Sequence, residues 1–335
     1  MRVSFLLALP LLAADFATDA DELVRKHRLS GAVIVAKDGK PVLRKGYGLA
    51  NAEWDIPNTP DTKFRIGSIT KQFTAVAILQ LVEQGKLKLD DPIARHYDGA
   101  PAAWEKVTIH HLLNHTSGIP SYTNIKGFFQ SSGSRNPLTS AEIVKITQDK
   151  PLEFEPGSQY NYNDSAFVLL GHLVEKLSGM KYDAYLREKI LTPAGLTDTG
   201  YDWTGTVLRK RASGYSPDGT NTTYLDMTLP HGAGAMYSTV DDMVQWDRAL
   251  IAGKLIGKES WTKMTTPGRS NYGYGLIIKT IAGHNSQSHG GGINGFNTHF
   301  MRFPDDGVVI AVFSNVNGPV ADKLCAELAQ LYFKR

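Results

Sequence analysis

Residues 64–85, FRIGSITKQFTAVAILQLVEQG, contain the most strongly buried helical pattern of this 335-residue chain. The pattern predicts one long helix from Ile69 to Gln84, and Gly85 ends it because glycine readily adopts the left-handed conformation found at helix C-termini. The middle of the segment, residues 75–79, is apolar on nearly every face. A helix of that kind packs inside a core rather than on a surface.

Two polar residues at the start of this helix, Ser68 and Lys71, form a candidate nucleophile and proton acceptor. Residues three apart share a helix face, so Lys71 lies within reach of the Ser68 hydroxyl. Apolar surroundings lower the pKa of a lysine, and the helix N-terminus offers N–H groups to an oxyanion. On this segment alone the alternative stays open that Ser68 is an N-cap and Lys71 a solvated first-turn residue.

The Ser-x-x-Lys spacing occurs twice more, so the surroundings must select among the three. Ser178, three residues before Lys181, lies at a helix end beside Gly179. Ser260, three residues before Lys263, lies in a polar stretch typical of a helix cap. Neither belongs to a buried helix. No Gly-x-Ser-x-Gly occurs, which excludes the strand-turn-helix nucleophile elbow.

A second group of candidates immediately precedes a helix predicted from Ser165 to Leu177. Tyr162 comes just before this helix and is a candidate phenol in a cleft. Asp164 is well placed to cap the helix N-terminus.

A third group is the glycine-rich stretch Ser288-His289-Gly290-Gly291-Gly292, which lies between two strand patterns. Glycines in or beside a strand cost stability and indicate that another backbone or a ligand comes close. Gly291 or Gly292 therefore offers a second N–H to an oxyanion.

The two ends of the chain carry strand patterns, whereas the middle carries helices. A tight turn at Asp38-Gly39 joins two N-terminal strands into a hairpin. Further strands are predicted at 274–281, 296–303 and 308–314, and further helices at 240–250 and 319–334. Strands at both termini with helices between them predict an α+β fold, with a sheet built from both ends and an inserted helical region.

Four segments, in this order, resemble the motifs of one enzyme superfamily. They are residues 64–71 (FRIGSITK), 112–119 (LLNHTSGI), 156–162 (PGSQYNY) and 289–291 (HGG). Together they resemble the serine hydrolases of the β-lactamase and penicillin-binding-protein superfamily, in the branch of class C β-lactamases, D-alanyl-D-alanine carboxypeptidases and family VIII esterases. The resemblance implies a β-lactamase/transpeptidase-like fold with an antiparallel sheet and flanking helices.

The resemblance also implies a role for each candidate. Ser68 corresponds to the acylated nucleophile and Lys71 to its proton partner. Tyr162 corresponds to the phenol that moves protons between the nucleophile, the leaving group and the deacylating water. The backbone N–H groups of Ser68 and Gly292 correspond to the oxyanion hole, and His289 stands where many relatives have a lysine.

Two residues depart from the family pattern and bear on the substrate. Asp164 replaces an asparagine, and a carboxylate cannot donate to a substrate amide as an asparagine does. His289 titrates near neutrality, so we expect it to hold a substrate carboxylate only when protonated. The alternative is a neutral His289 that hydrogen-bonds a neighbouring strand or the partners of the nucleophile. A second Tyr-x-Asn, Tyr122 to Asn124, lies where the family has no catalytic tyrosine.

Metal chemistry is the first rival interpretation. His111 and His115 lie four apart on a predicted helix near His110, but no glutamate separates them in the zincin pattern and no third ligand is evident. We therefore interpret them as core or helix-capping histidines. Cys325, the one cysteine, excludes intrachain disulfides and thiolate clusters and is predicted to be a buried filler. The sequence predicts no metal and no cofactor.

Composition and charge exclude other classes. Hydrophobic residues make up 42% of the chain, which is typical of globular proteins and excludes wholesale disorder. The 36 basic and 33 acidic residues give a net charge of +3 and are scattered, which argues against nucleic acid as the main partner.

The start of the chain resembles a secretory signal peptide. Arg2 precedes an apolar run that ends in small residues at Ala13 and Ala14, before the acidic Asp15. The run is shorter than the roughly 20 apolar residues that span a bilayer. The sequence therefore predicts a signal peptide at 1–14, a hydrolase domain at 15–335, secreted or periplasmic localisation and no stable membrane insertion.

Taken together, the sequence predicts a secreted serine acyl hydrolase that works through a Ser68 acyl-enzyme. The predicted substrate is a D-amino-acid peptide, an ester or a β-lactam. The alternative is a binding protein that penicillin or cell-wall peptides acylate with little turnover. The oligomeric state stays open.

Overall fold

The computed structural model describes residues 8–334 of the chain. Its strands are β1 (Gly31–Lys37), β2 (Lys40–Tyr47), β3 (Leu49–Asn51), β4 (Ile56–Pro57), β5 (Phe64–Arg65), β6 (Gly200–Tyr201), β7 (Met236–Ser238), β8 (Ile277–Ile281), β9 (His284–Ile293), β10 (Phe296–Phe303) and β11 (Val308–Ser314). Its α-helices are α1 (Ala8–Lys26), α2 (Thr70–Glu83), α3 (Ile109–Leu113), α4 (Ser140–Gln148), α5 (Asp164–Ser178), α6 (Tyr182–Leu186), α7 (Thr192–Ala194), α8 (His231–Gly234), α9 (Val240–Ile251), α10 (Lys258–Thr265) and α11 (Val320–Phe333).

A six-stranded antiparallel sheet with the order β2-β1-β11-β10-β9-β8 forms the centre of the fold. Two of its strands come from the N-terminal part of the chain and four from the C-terminal part. They meet where β1 pairs with β11, so that Gly31 lies opposite Ser314. The predicted α+β fold, with a sheet built from both ends of the chain, is confirmed.

The sheet is covered on both faces, which explains why β1 and β11 are almost entirely apolar. Side chains alternate between the faces of a strand. In β1, Ala32 and Ile34 face the larger core together with α2 and α5, whereas Val33 and Val35 face a second core formed with α1 and α11. Cys325 of α11 is fully buried in this second core, as predicted for a filler.

Helix α2 confirms the predicted buried helix and begins and ends within one residue of the expected bounds. Its side chains from Thr70 to Leu79 are all buried. The predicted helices corresponding to α5, α9 and α11 are confirmed as well. The short turn before α2, Gly67–Ile69, lies next to β9 and β10 and so brings the start of this helix close to the sheet.

The structure differs from the sequence prediction in the last part of the sheet. The glycine-rich stretch around His289 lies within strand β9, although it was expected to lie between strands. Glycine has a low preference for strands, but β8 and β10 pair with β9 on its two sides and supply the hydrogen-bond ladder. Strand β8 is also shorter than expected and begins at Ile277.

The predicted signal peptide falls partly outside the described residues, which exclude residues 1–7. Residues 8–14 belong to α1, whose later part contributes Phe16, Ala20 and Val24 to the second core. Within residues 8–334, no helix is both long enough and apolar enough to cross a membrane.

Candidate active site

Ser68 lies in a 3-10 turn, Gly67–Ile69, that joins β5 to α2. Strand β9 runs close beside this turn. Gly67 has a φ of +49°, and a Cβ atom on it would lie 3.0 Å from the backbone nitrogen of Gly292. Helix α2 begins without any side-chain cap, so the interpretation of Ser68 as an N-cap is wrong.

Lys71 is fully buried and uses all three of its donors. Its Nζ donates to Ser68 Oγ at 3.1 Å, to Asp164 Oδ1 at 2.6 Å and to the carbonyl oxygen of Ala233 at 2.9 Å. Burial lowers the pKa of Lys71, and the Asp164 carboxylate opposes this shift. The alternative of a solvated first-turn lysine is therefore wrong, and the amine is placed to exchange a proton with Ser68.

Asp164 is not the helix cap that the sequence suggested. The cap of α5 is Asn163, whose side-chain oxygen accepts a hydrogen bond from the Ala166 backbone N–H at 2.9 Å. Asp164 follows as the first helical residue, and its carboxylate turns towards Lys71. Its side chain is 21% exposed, so this ion pair lies at the wall of the site rather than deep in the core.

Tyr162 is the third candidate catalytic residue, and its ring packs against Lys71 on one side and against His115 on another. Lys71 Nζ is 4.7 Å from the centre of its ring. Burial raises the pKa of Tyr162 well above 10, and Asp164 adds to this shift, whereas the nearby Ser68 hydroxyl opposes it. Tyr162 is therefore a protonated phenol at neutral pH, and its buried hydroxyl has no hydrogen-bond partner among the described residues.

The two predicted oxyanion glycines occupy different places. A Cβ atom on Gly291 would lie 2.0 Å from the carbonyl oxygen of Ile66, so β9 packs directly under the turn at this position. Gly292 has open space around its Cα and lines the cleft beside Ser68. Of the two, Gly292 is the residue that adjoins the nucleophile.

His289 is buried behind the site and does not line the cleft. Its Nδ1 lies 2.6 Å from the carbonyl oxygen of Gly290, and its Nε2 lies 2.8 Å from the Tyr272 hydroxyl. Burial lowers the pKa of His289 to about 3, and the charge of Lys71 adds to this shift. The structure therefore supports the neutral alternative and not a protonated His289 that holds a substrate carboxylate.

A cleft of about 110 Å³ opens at Ser68. Its described lining consists of Ser68, Tyr122, Thr123, Phe129, Asp164, Leu225, Pro230, Ala233, Gly234, Gly292, Ile293 and Asn294. None of these is a lysine, an arginine or a histidine. Tyr122 contributes a wall, while its hydroxyl donates to the carbonyl oxygen of Leu229 at 3.3 Å. The lining of the cleft thus combines apolar and uncharged polar residues with a single carboxylate, that of Asp164.

The two competing Ser-x-x-Lys motifs lie away from this cleft. The Ser178 hydroxyl donates to the Val174 carbonyl within α5, at 2.5 Å. Lys263 forms an ion pair with Glu259 at 2.8 Å instead of approaching Ser260. Neither serine has the surroundings of a nucleophile.

The three histidines considered as metal ligands have three different partners. His110 Nδ1 lies 2.6 Å from the Tyr274 hydroxyl, and His111 accepts a hydrogen bond from Thr108 N at 3.2 Å in the cap of α3. The ring of His115 packs against the ring of Tyr162 instead.

One functional contact was absent from the sequence analysis, namely the carbonyl oxygen of Ala233 that accepts from Lys71. It belongs to α8, a short helix with the sequence HGAG at residues 231–234. A run of such small residues indicates close approach of backbones, and it was the available sign of this contact. The pairing of Lys71 with Asp164 was missed too, because 93 residues separate them.

Comparisons with known proteins agree on one family. The family model described as Beta-lactamase matches residues 15–333. The putative penicillin-binding protein PbpX of Bacillus subtilis is 33% identical over 291 residues, which cover 86% of this chain and 71% of that protein. Penicillin-binding protein 4* of Bacillus subtilis is 30% identical over 328 residues, covering 88% of this chain and 70% of that protein.

Solved structures show the same relationship. The penicillin-binding protein from Bacillus halodurans superposes with a TM-score of 0.83 and 30% identity, covering 93% of this chain and 98% of that chain. A D-stereospecific amidohydrolase from Streptomyces superposes with a TM-score of 0.78 and 28% identity, covering 93% of this chain and 97% of that chain.

Proposed function

The chain belongs to the β-lactamase family of serine hydrolases, and on this premise we propose that it hydrolyses acyl substrates through an acyl-enzyme on Ser68. The observation that carries the proposal is the contact of the fully buried Lys71 Nζ with Ser68 Oγ. A lysine amine in that place serves as a base, because burial favours its neutral form.

Acylation begins when Ser68 Oγ attacks the carbonyl carbon of the substrate and its proton passes to Lys71. The backbone N–H groups of Ser68 and Gly292 stabilise the negative charge that develops on the carbonyl oxygen. Tyr162, as a phenol, donates its proton to the leaving group and regains one from the Lys71 ammonium. The bond between the carbonyl carbon and the leaving group breaks, and Ser68 retains the acyl group.

Deacylation uses the same groups in the reverse sense. A water molecule gives its proton to the Lys71–Tyr162 pair and attacks the acyl carbon, and Ser68 leaves with a returned proton. Asp164 keeps the Lys71 amine directed at Ser68 through both steps, because its carboxylate accepts a hydrogen bond from Nζ.

The surroundings of the cleft favour a substrate without a carboxylate. Its described lining lacks a cationic side chain, and the pKa of His289, about 3, leaves that histidine neutral at physiological pH. We therefore propose an uncharged ester or amide, with D-amino-acid derivatives included because of the likeness to a D-stereospecific amidohydrolase. Among the substrates predicted from the sequence, peptides and penicillins with a free carboxylate are less favoured than neutral esters and amides.

Export from the cytoplasm is part of the proposal. Residues 1–14 have the basic start, short apolar run and small residues of a signal peptide. The matched family domain begins at residue 15, directly after them.

The experiment incubates the purified protein with a p-nitrophenyl ester, a matched ester that carries a carboxylate, and a fluorescent penicillin, and locates the modified residue by mass spectrometry. We expect acylation at Ser68, turnover of the neutral ester, and a KM ratio of the two esters that stays constant between about pH 5 and 8. Ser68→Ala abolishes labelling and turnover, whereas Ser178→Ala retains both.

Two outcomes decide between the alternatives. Labelling that persists in Ser68→Ala contradicts the assignment of the nucleophile. A burst of product without a second phase, on all the substrates, supports instead a penicillin-binding protein that is acylated with little turnover. That second candidate is favoured by the names of the two Bacillus subtilis relatives.

A further inference from the structure

We propose that His115 is a positioning residue, which holds the backbone on both sides of Tyr162 and thereby fixes its phenol for proton transfer. The inference rests on the proposed function, since it assigns the proton transfer to Tyr162. His115 takes no part in the proton transfers among Ser68, Lys71 and Tyr162 described above.

The contacts of His115 bracket Tyr162 on both sides. The carbonyl oxygen of His115 accepts from the backbone N–H of Asn161 at 3.0 Å, and its ring Nδ1 accepts from the backbone N–H of Asn163 at 3.1 Å. Asn161 and Asn163 are the residues immediately before and after Tyr162. One residue thus fixes the two peptide segments from which the phenol extends.

The ring itself is fully buried in an aromatic environment. Its centre lies 4.4 Å from that of Tyr162, 4.6 Å from that of Tyr272 and 5.2 Å from that of Phe167. Burial lowers the pKa of His115 well below 6.5, and the nearby Lys71 acts in the same direction. The ring is therefore neutral, with Nδ1 free of a proton and the hydrogen on Nε2.

A histidine ring in this apolar environment destabilises the fold through its second nitrogen. We therefore infer that the residue is useful because its Nδ1 accepts a hydrogen bond. Nε2 has no hydrogen-bond partner among the described residues. A buried donor without a partner destabilises the folded protein, because it has lost its hydrogen bonds to water. Phenylalanine or leucine would avoid this cost, but neither accepts the hydrogen bond from Asn163.

The backbone conformation of His115 also contributes to these contacts. Its φ is +62°, in the left-handed region that residues other than glycine adopt uncommonly, although asparagine, aspartate and histidine do so more often than the rest. In this conformation the carbonyl group and the ring both face residues 161–163. Such strained residues persist where the surrounding structure determines them, and they cluster at functional sites.

Positioning matters here because the phenol must stay close to Ser68 and Lys71. A misplacement of about 1 Å costs up to about 100-fold in rate. Loss of the Nδ1 acceptor removes one of the hydrogen bonds that hold the backbone after Tyr162, so we expect a fall in kcat with little change in KM.

The test compares His115→Asn with His115→Gln. The side-chain oxygen of asparagine reaches the place of Nδ1 and restores the acceptor, whereas the longer glutamine places its amide near Nε2. We expect His115→Asn to keep kcat within about threefold of the wild type and His115→Gln to lose about 30-fold, with KM changed less than about twofold. Thermal melting of both variants verifies that they are folded, and His115→Ala replaces His115→Gln if the latter does not fold.

A double-mutant cycle separates positioning from a general structural role. In a Tyr162→Phe background no phenol remains to be positioned, so we expect His115→Gln to cost less than about threefold further. Losses that multiply, or equal losses for His115→Asn and His115→Gln, overturn the inference. Mass-spectrometric labelling of Ser68 in the wild type distinguishes this result from a failure of the proposed function, which would leave Ser68 unlabelled.

Discussion

The state of a single amine, that of Lys71, determines what Ser68 can do. Two opposing effects act on it, because burial favours the neutral amine and the Asp164 carboxylate favours the ammonium. The result is a pKa that is lowered overall but less than burial alone would give. An asparagine at this position would lack the charge that opposes burial.

We predict that Asp164→Asn moves the acidic limb of the pH–rate profile to lower pH. Lys71 must be neutral to accept the Ser68 proton, so kcat/KM rises as the pH passes upward through the pKa of Lys71. The carboxylate raises that pKa, and its removal lowers it. The measurement is kcat/KM for a neutral ester between about pH 5 and 9. We also expect a stability loss of roughly 1–3 kcal/mol and a relative gain on amide or β-lactam substrates.

A matched control is Asp322→Asn. Asp322 also lies in the first turn of a helix and pairs with a basic residue, His299 at 2.7 Å, on the far side of the sheet. The Asp322→Asn substitution should leave the pH of the acidic limb unchanged. An acidic limb that does not move in Asp164→Asn contradicts the role of Lys71 as the base.

At the scale of elements, the site depends on the close contact between strand β9 and the turn that carries Ser68. Thr298 Oγ1 donates to the Ile66 carbonyl oxygen at 3.0 Å, and Gly291 leaves room for that carbonyl group. Strand β10 supplies Thr298, so two neighbouring strands support the turn. This contact keeps Gly292 beside Ser68.

We predict that Gly291→Ala destabilises the protein by roughly 2–3 kcal/mol and lowers activity, because it forces β9 away from the turn. The added Cβ atom would lie 2.0 Å from the Ile66 carbonyl oxygen and 2.5 Å from Thr298 Oγ1. Gly292→Ala, at a position with open space, should melt close to the wild-type temperature. Thermal melting of the two variants tests this, and equal melting temperatures would show that β9 accommodates the methyl group.

The contrast between β9 and α2 explains which elements were predictable from the sequence. Helix α2 has its periodicity, its apolar middle and its terminal glycine within one segment, so local preferences suffice. The glycines of β9 oppose a strand locally, and pairing with β8 and β10 overrides them. For the same reason Ser68 and Lys71 were predictable as neighbours, whereas the contacts of Lys71 with Asp164 and Ala233 require the folded chain.

At the scale of the whole molecule, both faces of the central sheet are covered, and helix α1 covers one of them together with α11. The N-terminal helix is therefore part of the fold. Phe16, Ala20 and Val24 of α1 are buried in the second core, and the ring of Phe16 packs edge-on against that of Tyr332 with centres 5.2 Å apart. Asp21 of the same helix accepts a hydrogen bond from the Tyr47 hydroxyl at 2.7 Å. A predicted cleavage near residue 15 would leave all of these contacts in place.

Two truncated proteins test this arrangement. A chain that begins at Asp15 should have the melting temperature and esterase activity of the 335-residue chain, since it retains Phe16, Ala20 and Val24. A chain that begins at His27 loses that face and exposes the second core, including Cys325 of α11. Burial of each large apolar side chain contributes about 1.5–3 kcal/mol, so the loss is on the order of 5 kcal/mol, comparable to the whole stability of many domains. Equal stability of the two truncated chains would contradict the assignment of α1 to the fold and would place the start of the structural domain after residue 26.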